Sequence, residues 1–428
     1  MPSLILGSRA RNGTARAPLA LCPVPDRAPR SVLVIGAGPA GTACAITLAD
    51  AGHAVTLVDK AVFPRDKCCG DGLTTNALRI LEELGLDPAD VPDWSVTRDL
   101  ELRSPDGRRI GLALPDGPGT FAAVAPRRQL DHALLELARA RGVDIHEGRA
   151  FVDVVRNDSE AVTVSIEGLG EMTTDHLVAA DGMWSPVRRA LGLSEPGRLG
   201  EWHAFRQYIG NVTGSAAHRL HIWFDDDLLP GYAWSFPLPG NRANLGFGVL
   251  RTEGRSTKFM NDLWRDLLGR PHVVDALGPG FQPEDRHTAW PIPARIDRAV
   301  RSSGRVLFVG DAVAATDLLT GEGIGQALET GFAAARAIDG SRDPAAVRRA
   351  YSDAIDSVLL ADHRMSVVLS WMLSRPNVAR RVLRLVDTND WTRRNFARWM
   401  FEDEPRAVLF TPRRWHRGFL SRPGAYRS

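Results

Sequence analysis

Cysteine is scarce in this chain of 428 residues, and its four occurrences are Cys22, Cys44, Cys68 and Cys69. None has a partner at the Cys-x-x-Cys spacing of zinc sites, and none lies in a cysteine–histidine cluster, so no metal site is expected. Cys68 and Cys69 are adjacent and therefore make a poor disulfide pair. Because free thiols are typical of reducing compartments, the composition predicts a cytoplasmic protein.

Lysine is rarer still, at positions 60, 67 and 258, and arginine supplies nearly all of the 53 basic residues. The 51 acidic residues leave a formal net charge of +2. So small an excess argues against nucleic-acid binding through bulk positive charge.

Long apolar runs are also missing. No stretch approaches the roughly 18 consecutive apolar residues that a membrane-spanning helix requires. Residues 1–30 are rich in arginine, proline, alanine and glycine and show no periodicity. They predict a disordered extension; a misassigned upstream start codon and an organelle transit peptide are the alternatives.

Glycine, by contrast, recurs in three informative signatures. The first is GAGPAG at 36–41, the second is ADG at 180–182 with Ser185 and Arg188, and the third is GD at 310–311 followed by TGEG at 320–323. One GxGxxG motif alone is weak support for a nucleotide site. Three sites in this order, each serving the same cofactor, are much stronger support.

The first signature lies in the context of a dinucleotide fold. Apolar residues at 32–35 predict a buried parallel strand, and a helical pattern follows at 45–49. Gly36 permits the tight turn, Gly38 lets a pyrophosphate approach the backbone, and Gly41 allows close packing of helix and strand. The helix N-terminus near Ala40 directs free N–H groups at the phosphates.

A second apolar strand at 55–58 ends in Asp59, which Lys60 follows. An acid about 20 residues beyond the glycines is the expected partner of a ribose 2′-hydroxyl. A carboxylate there also disfavours a 2′-phosphate. Asp59 and Lys60 are therefore assigned to a site for an adenine dinucleotide such as FAD or NAD.

Together, the three signatures resemble the FAD fingerprints of the p-hydroxybenzoate hydroxylase-like flavoproteins. The resemblance implies FAD as the cofactor, with Gly310 beside it and Asp311 at the flavin ribityl chain. It also implies that Gly321, Gly323 and Ile324 open a helix whose N-terminus faces the flavin pyrimidine, where reduced flavin carries negative charge.

The same resemblance assigns Asp181 and Gly182 to the cofactor site. Arg127 precedes a predicted helix at 133–138 and resembles the arginine that family members place against FAD. Arg128 beside it is the alternative.

Two further segments resemble the geranylgeranyl reductase family within these flavoproteins. PRDKCCGDGL at 64–73 places Cys69 at that family's cysteine position, with Gly70 next to it in the cofactor site. YAWSFP at 232–237, followed by GFG at 246–248, is similar to the family's substrate-cavity motif. The resemblance implies an isoprenoid pocket lined by Tyr232, Trp234 and Phe236. It also implies that Cys69 positions or supplies a proton near the flavin. Simple packing is the alternative for all four candidate catalytic residues.

One departure from the family concerns the residues before the TGEG turn. Relatives usually carry Asn-Pro there, whereas this chain has Asp317-Leu318. Because that proline helps to shape the pocket beside the flavin, the local substrate geometry stays open.

These patterns predict a mixed α/β fold. It comprises a Rossmann-like FAD-binding domain, an inserted β-sheet substrate domain and a helical C-terminal region. The predicted FAD domain is discontinuous, at 31–95, 120–195 and 296–345. The substrate domain comprises 96–119 and 196–295, and its first part is a predicted hairpin around the SPDG turn at 104–107. The helical region is 346–428.

The predicted protein is an FAD-dependent oxidoreductase that reduces carbon–carbon double bonds of an apolar, isoprenoid substrate of geranylgeranyl or prenyl-quinone type. No second GxGxxG motif opens a nicotinamide domain, so NADPH or NADH would dock transiently. The main alternative is an FAD-dependent monooxygenase using NAD(P)H and O2, with a flavin halogenase as a variant. A flavin-binding protein without turnover is a third hypothesis.

The C-terminal region leaves two interpretations open. Seven arginines at 375–398 are interleaved with Trp371, Trp391 and Trp399. This composition suits peripheral contact with an anionic membrane, here at the inner membrane face. The other interpretation is a helical cap on the FAD domain, with arginines that are solvated or paired with nearby acidic residues.

Overall fold

The computed structural model describes residues 28–115, 117–195, 197–252, 256–415 and 421–427. Residues 1–27 of the predicted extension lie outside the described residues. Arg30, at the end of that extension, is packed into the fold. It is 4% exposed, and its carbonyl oxygen accepts a hydrogen bond from the N–H of Ala54.

The strands of the described residues are mostly short and form four sheets. In chain order they are β1 (Ser31–Ile35), β2 (Ala54–Asp59), β3 (Gly72–Leu73), β4 (Ser95–Val96), β5 (Asp99–Arg103), β6 (Arg109–Ala113), β7 (Ala123–Val124), β8 (Asp144–Glu147), β9 (Phe151–Asn157), β10 (Val162–Ile166), β11 (Gly170–Thr174), β12 (His176–Ala179), β13 (Trp202–Gly210), β14 (Leu220–Trp223), β15 (Tyr232–Leu238), β16 (Arg242–Leu250), β17 (Gln282–Pro283), β18 (Thr288–Ile292), β19 (Ser302–Ser303) and β20 (Val306–Phe308).

The helices dominate the last quarter of the chain. They are α1 (Pro39–Asp50), α2 (Thr75–Leu84), α3 (Arg127–Ala140), α4 (Pro186–Ala190), α5 (Thr257–Gly269), α6 (Pro271–Leu277), α7 (Ile324–Gly340), α8 (Pro344–Ile355), α9 (Ala361–Leu373), α10 (Pro376–Val386) and α11 (Asp390–Met400). A π-helical turn, Asp356–Leu360, joins α8 to α9.

A six-stranded sheet carries the glycine signatures. Its order is β19-β20-β12-β1-β2-β8, and all pairs are parallel except β19 with β20. Parallel strands are buried on both faces, which explains why β1 is apolar along almost its whole length. Helix α1 packs closely on α7. A Cβ at Gly331 would collide with the carbonyl oxygen of Ala40, so the close contact requires glycine there.

An eight-stranded sheet forms the second layer. Its order is β17-β13-β16-β15-β14-β5-β6, with β18 also paired to β13, and it is antiparallel except between β14 and β5. The hairpin predicted around 104–107 is confirmed as β5 and β6, and Gly107 has a φ of +83° in the turn. This hairpin thus shares one sheet with strands of 196–295, while the exact domain boundaries stay a prediction.

The C-terminal helices α10 and α11 close over this hairpin. Ala379, Leu383 and Val386 recur on one face of α10, as an amphipathic helix requires, and all three are buried. Leu383 and Val386 join Leu100 and Leu112 of the hairpin in one apolar cluster. Packing against a distant hairpin therefore fixes the C-terminal helices.

The predicted mixed α/β fold is confirmed, with its parallel sheet, its inserted antiparallel sheet and its C-terminal helices. Among the described residues, no helix is both long enough and apolar enough to cross a membrane.

Candidate active site

The first glycine signature forms the turn between β1 and α1. Gly36 has a φ of +105°, and a Cβ there would collide with the Ala180 carbonyl oxygen. A Cβ on Gly41 would collide with the carbonyl oxygen of Gly36. Gly38 borders open space instead, since the nearest atom to a Cβ there is Nη2 of Arg65 at 3.8 Å. The turn therefore leaves room for a diphosphate between backbone N–H groups and a cation.

Asp59 and Lys60 lie beside this turn at the end of β2. The two carboxylate oxygens of Asp59 accept hydrogen bonds from the N–H groups of Ala37 at 2.7 Å and Ala61 at 2.8 Å. Each oxygen has further lone pairs, so Asp59 holds the turn and can still accept a ribose hydroxyl. Lys60 is exposed. Contact of either residue with a cofactor stays a prediction.

The second signature begins α4 at the end of β12. Oδ2 of Asp181 accepts a hydrogen bond from the N–H of Val187 at 3.0 Å, and burial raises the pKa of Asp181 to about 6. Gly182 has a φ of +78° and no atom within 4 Å of a Cβ position. Asp181 thus orients the turn from behind, while Gly182 borders the space that a cofactor would take.

The third signature touches the first. Gly310 has a φ of +60°, and a Cβ there would lie 3.0 Å from the Cβ of Ala40. Oδ2 of Asp311 lies 3.0 Å from Nζ of Lys67, a cation that the sequence analysis did not assign to the site. Asp311 and its lysine partner therefore border the same space as the glycine turn.

The TGEG turn leads into α7. Gly321 has a φ of +68°, and Gly323 precedes Ile324, the first residue of α7. Oε1 of Glu322 accepts a hydrogen bond from the N–H of Gly325 at 2.9 Å. The N-terminus of α7 thus points into the site, where its partial positive charge favours an anion.

Arg127 and Arg128 differ in their exposure to solvent. Arg127 is 5% exposed, and its Nε and Nη2 each lie 2.7 Å from a different oxygen of Asp131. Arg65 binds the same carboxylate through Nη1 at 2.7 Å. Arg128 is exposed. The structure places Arg127 in the wall of the site and Arg128 outside it; the cofactor contact of Arg127 stays a prediction.

The segment of Cys69 and Gly70 packs under aromatic rings. A Cβ on Gly70 would lie 3.3 Å from both Trp234 and Phe236, and a Cβ on Gly72 would lie 2.8 Å from Phe236. Burial raises the pKa of Cys69 to about 12. The Cys69 thiol is therefore protonated near neutral pH.

Tyr232, Trp234 and Phe236 form an aromatic row along one face of β15. Neighbouring rings in the row are 6.1 Å apart between centroids. The Tyr232 hydroxyl donates a hydrogen bond to the carbonyl oxygen of Thr320, and Nε1 of Trp234 donates to Oδ1 of Asn244 at 3.1 Å. Both polar atoms have partners, so the ring faces are fixed in place. Their catalytic role stays a prediction.

Asp71, which the sequence analysis missed, links three parts of the site. Its φ is +64°, and it is fully buried. Oδ2 accepts from the Tyr208 hydroxyl and from Nδ2 of Asn244, both at 2.7 Å, and Oδ1 accepts from the N–H of Arg127 at 3.2 Å. Burial raises its pKa to about 6. Its place between Cys69-Gly70 and Gly72 in the motif was the available signal.

The departure at Asp317 has a structural explanation. Oδ1 of Asp317 accepts hydrogen bonds from the N–H groups of Leu319 at 3.0 Å and Thr320 at 2.8 Å, and from the Thr320 hydroxyl at 2.9 Å. Oδ2 accepts from the Ser366 hydroxyl of α9 at 2.6 Å. Side-chain hydrogen bonds of this kind fix a turn, so the carboxylate shapes the turn without the proline.

Glu402 and Arg406, which follow α11, complete this polar cluster and were also missed. Nε of Arg406 lies 3.2 Å from Oδ2 of Asp317, and its Nη2 lies 2.9 Å from Oε1 of Glu402 and 3.0 Å from the Thr320 hydroxyl. Only 2% of the Arg406 side chain is exposed. The C-terminal segment is therefore anchored to the turn before α7 by buried ion pairs.

One cavity of about 320 Å³ connects these features. Its glycine-lined end includes Gly38, Gly182 and Gly310, and the three rings of the aromatic row also line it. Apolar side chains of the C-terminal helices line the other end: Leu369, Met372, Leu373, Val382, Leu383, Phe396 and Met400. Five of the predicted cofactor residues are not part of this lining, namely Gly36, Gly41, Asp59, Lys60 and Asp181.

The C-terminal arginines fit the predicted helical cap, whereas the C-terminal tryptophans fit the predicted contact surface. Arg380, Arg384 and Arg393 pair with acidic residues, as a helical cap requires. Trp371 and Trp391 are 62% and 66% exposed, as a contact surface requires. The nearby His416 and Arg417 lie outside the described residues.

Comparisons with known proteins agree with this geometry. The profile of the FAD binding domain family matches residues 30–343. A menaquinone reductase of Mycobacterium tuberculosis is 33% identical over 336 residues, which cover 73% of this chain and 77% of that protein. A digeranylgeranylglycerophospholipid reductase of Methanosarcina mazei is 27% identical over 321 residues, or 72% of this chain and 74% of that protein.

A solved structure shares the fold. A geranylgeranyl bacteriochlorophyll reductase-like protein from Thermoplasma acidophilum superposes with a TM-score of 0.74 at 20% identity, covering 90% of this chain and 99% of that one. The sequence signatures and the family match establish FAD as the cofactor. The chain belongs to the FAD binding domain family and, within it, to the geranylgeranyl reductase group of FAD-dependent oxidoreductases.

Proposed function

We propose that the protein reduces carbon–carbon double bonds of a prenyl lipid, with NADPH or NADH as the transient reductant of its FAD. The observation that carries this proposal is the cavity, whose lining combines a glycine-lined end, the aromatic row of β15 and an apolar end formed by the C-terminal helices. A prenyl chain suits such a channel, because each buried CH2 group contributes about 0.8 kcal/mol.

The residues at the glycine-lined end fit FAD. The space at Gly38, beside Arg65, suits the diphosphate, and we assign Asp59 to a ribose hydroxyl. Asp311 and the N-terminus of α7 border the region where the flavin ring system would lie. When bound and reduced, FAD supplies hydride.

The substrate class is extended from the relatives. Their names assign them to a menaquinone and to a digeranylgeranylglycerophospholipid. A prenyl chain is common to such lipids, and it is the part that an apolar channel recognises. The head group of this protein's own substrate would lie outside the apolar end.

The aromatic row suits the electronic demand of this reaction. An isolated alkene is a poor hydride acceptor, so proton transfer has to develop positive charge on carbon. The ring faces of Tyr232, Trp234 and Phe236 stabilise such charge by cation–π attraction. Cys69, with a pKa of about 12, is a weak acid near neutral pH, so we assign it to positioning rather than to proton supply.

We further propose that the protein contacts the inner membrane face peripherally through the C-terminal helices. Trp371 is exposed on the same helix, α9, that lines the apolar end of the cavity with Leu369 and Met372. Tryptophan rings favour the depth of lipid head groups. A prenyl chain could thus pass from a bilayer into the cavity past α9.

The mass of the product tests the proposed function. The purified protein is incubated with NADPH or NADH and a panel of prenyl lipids, with and without oxygen. A gain of hydrogen pairs that does not require oxygen is expected. A gain of one oxygen atom, only in air, would make the protein a monooxygenase. A bound flavin with no product from any lipid would favour the hypothesis of a protein without turnover.

A further inference from the structure

Two partly buried carboxyl groups meet at the TGEG turn, and they come from distant parts of the chain. Glu322 belongs to the turn and lines the cavity. Glu402 follows α11 and lies behind the lining, where Gln326 of α7 donates to its Oε1 at 3.1 Å. Thr320 connects them, because its hydroxyl accepts from the N–H of Glu322 at 3.3 Å and from Nη2 of Arg406, which also binds Glu402.

The surroundings of the two carboxyl groups differ, and this difference determines which of them is protonated. Burial raises the pKa of Glu402 as well, but Glu402 receives hydrogen bonds from the Arg406 guanidinium and from Gln326, which favour its ionised form. Glu322 has no cation within ion-pair distance among the described residues. Burial and the neighbouring Glu402 raise the pKa of Glu322 to about 8, although backbone N–H groups at the start of α7 oppose this. Glu322 is therefore the protonated member at neutral pH.

We propose that Glu322 is the proton donor for reduction of the double bond, and that Glu402 acts through it by holding it protonated. This inference rests on the proposed function. Glu322 is the acid of the cavity wall, whereas Glu402, held by Arg406, is a positioning residue.

Reduction of the alkene needs a hydride donor as co-reactant, and reduced FAD would supply the hydride. The π bond of the alkene breaks, hydride forms a C–H bond at one carbon, and the carboxyl proton of Glu322 forms a C–H bond at the other. The alkene gains two electrons and two hydrogens, and the cofactor is oxidised. Glu322 is left as a carboxylate, and a proton from solvent restores the acid.

The other acids of the cavity wall are less suited to this task. Asp71 is fully buried, and both its oxygens already accept hydrogen bonds. Asp311 is paired with Lys67 at 3.0 Å. The Cys69 thiol has a pKa near 12. The Tyr232 hydroxyl already donates to the Thr320 carbonyl oxygen, and burial raises its pKa. A general acid works best when its pKa lies near the working pH, and neither the Cys69 thiol nor the Tyr232 hydroxyl satisfies this condition. The titratable and charged groups that face the pair from the surrounding elements are Cys69, Tyr232, Asp317, Glu329, Asp362 and Arg406.

Glu322→Gln is the primary test, and Glu329→Gln is its matched control. Glu329 is also a carboxyl group with a raised pKa, about 7, but it binds Nδ2 of Asn76 at 2.8 Å and does not line the cavity. With a prenyl lipid that the wild type reduces, Glu322→Gln should lower kcat by about 100-fold or more with little change in KM, which is the usual scale for a lost general acid. Glu329→Gln should keep wild-type turnover.

Infrared spectroscopy supplies a readout that needs no turnover. The C=O stretch of a protonated carboxyl group is followed in the resting protein from about pH 6 to about pH 10, a range that brackets the raised pKa of Glu322. A band that titrates near pH 8 is expected in the wild type and in Glu329→Gln. Glu322→Gln should lack it.

Glu402→Gln tests the second half of the proposal. Removing the negative neighbour should lower the pKa of Glu322, so its infrared titration and the alkaline fall in kcat should both move to lower pH. A merely structural role for Glu402 would change stability without moving either midpoint. Glu402→Asp, which restores the charge, should return both midpoints toward the wild-type values.

The outcomes separate this inference from the proposed function. Wild-type turnover in Glu322→Gln, or a resting protein without the titrating band of Glu322, overturns the inference and leaves prenyl reduction intact. If the wild type reduces no prenyl lipid, the proposed function fails, and proton donation by Glu322 to an alkene fails with it.

Discussion

Asp71 is the residue on which three walls of the cavity converge. Its buried carboxyl group binds the Tyr208 hydroxyl, the Asn244 amide and the backbone N–H of Arg127. Asn244 in turn accepts from Trp234 and donates to the carbonyl oxygen of Cys69 at 2.8 Å. A buried polar group with all its partners fixes a geometry, and removal of one partner carries a large penalty.

Tyr208→Phe should therefore lower the free energy of unfolding by about 1–3 kcal/mol, because the buried Asp71 loses a donor at 2.7 Å. Tyr426→Phe is the matched control, since the Tyr426 hydroxyl has no hydrogen-bond partner among the described residues. Urea unfolding of both variants measures the difference. Equal losses in the two variants would contradict a special role for the Asp71 network.

His176 should make stability depend on acid pH. Burial and the nearby Arg305 and Arg30 lower its pKa from 6.5 to about 4. Below about pH 6.5 the unfolded chain therefore binds a proton at His176 that the folded protein does not bind. The contribution of neutral His176 to the free energy of unfolding is complete above that pH and is lost as the pH falls toward 4. Between about pH 7 and about pH 5 the wild type should lose about 2 kcal/mol relative to His176→Phe, measured by urea unfolding. A pH-independent difference would show that His176 does not titrate in this way.

Single residues could be predicted from the sequence where backbone geometry decides which residue fits. Gly36 and Gly41 could be predicted because no side chain fits where β1 turns into α1. Asp71 could not, since its partners come from β13, β16 and α3, and a single motif does not say which strands will meet it. The acid at Asp317 was recognised only as a departure from the family.

At the scale of elements, the turn before α7 joins three parts of the fold. Glu322 of this turn lines the cavity. Asp317, which precedes the turn, accepts a hydrogen bond from Ser366 of α9 and pairs with Arg406 of the C-terminal segment. The family match ends at residue 343, so α9 and the segment after α11 lie beyond it. Sequence patterns predicted helices there but could not place them, because the contacts join residues far apart in the chain.

Arg406→Met should lower the free energy of unfolding by about 3–5 kcal/mol, because it leaves Asp317 and Glu402 buried without their cation. Asp317→Asn in the same protein should recover part of this loss, and a double-mutant cycle measures the coupling. Arg384→Met is the control, since its ion pair with Asp106 is exposed and is worth about 1 kcal/mol at most. Strictly additive losses at positions 317 and 406 would contradict the buried pair.

The aromatic row of β15 makes a separate prediction for catalysis. Phe236→Leu keeps an apolar side chain but removes a ring face worth about 0.5–2 kcal/mol to a cation, so kcat should fall about 2- to 30-fold. Phe247→Leu, on the adjacent β16, is the control, because Phe247 is buried in a cluster with Phe205 and Trp264 and does not line the cavity. Rates per folded protein are compared, and unchanged kcat in Phe236→Leu would argue for packing alone.

At the scale of the whole molecule, one cavity spans the part that matches the family and the part that does not. Its glycine-lined end belongs to residues that could be predicted from motifs, and its apolar end is built by α9, α10 and α11. The fold class was predictable because, as at Gly36 and Gly41, the backbone geometry of the fold decides which residues fit. The apolar end was not, because no motif marks the helices that form it.

The exposed tryptophans of this end should bind anionic vesicles. Trp371→Ser combined with Trp391→Ser is expected to weaken binding about tenfold, a change of about 1.4 kcal/mol. Trp184→Ser is the control, since Trp184 is 45% exposed beside α4 and not on the C-terminal helices. Sedimentation with vesicles at two salt concentrations measures both the apolar and the electrostatic contributions. Equal binding by all three proteins would exclude this surface as the contact.

Anaerobic reoxidation of the reduced protein distinguishes a double-bond reductase from an oxygen-dependent enzyme. The FAD-loaded protein is reduced without oxygen, freed of excess reductant and mixed with a prenyl lipid, while flavin absorbance is followed. If the protein is a reductase, the oxidised flavin spectrum returns without oxygen, and one double bond disappears for each flavin reoxidised. If the flavin stays reduced with every prenyl lipid until oxygen is admitted, the protein is not a reductase of prenyl double bonds.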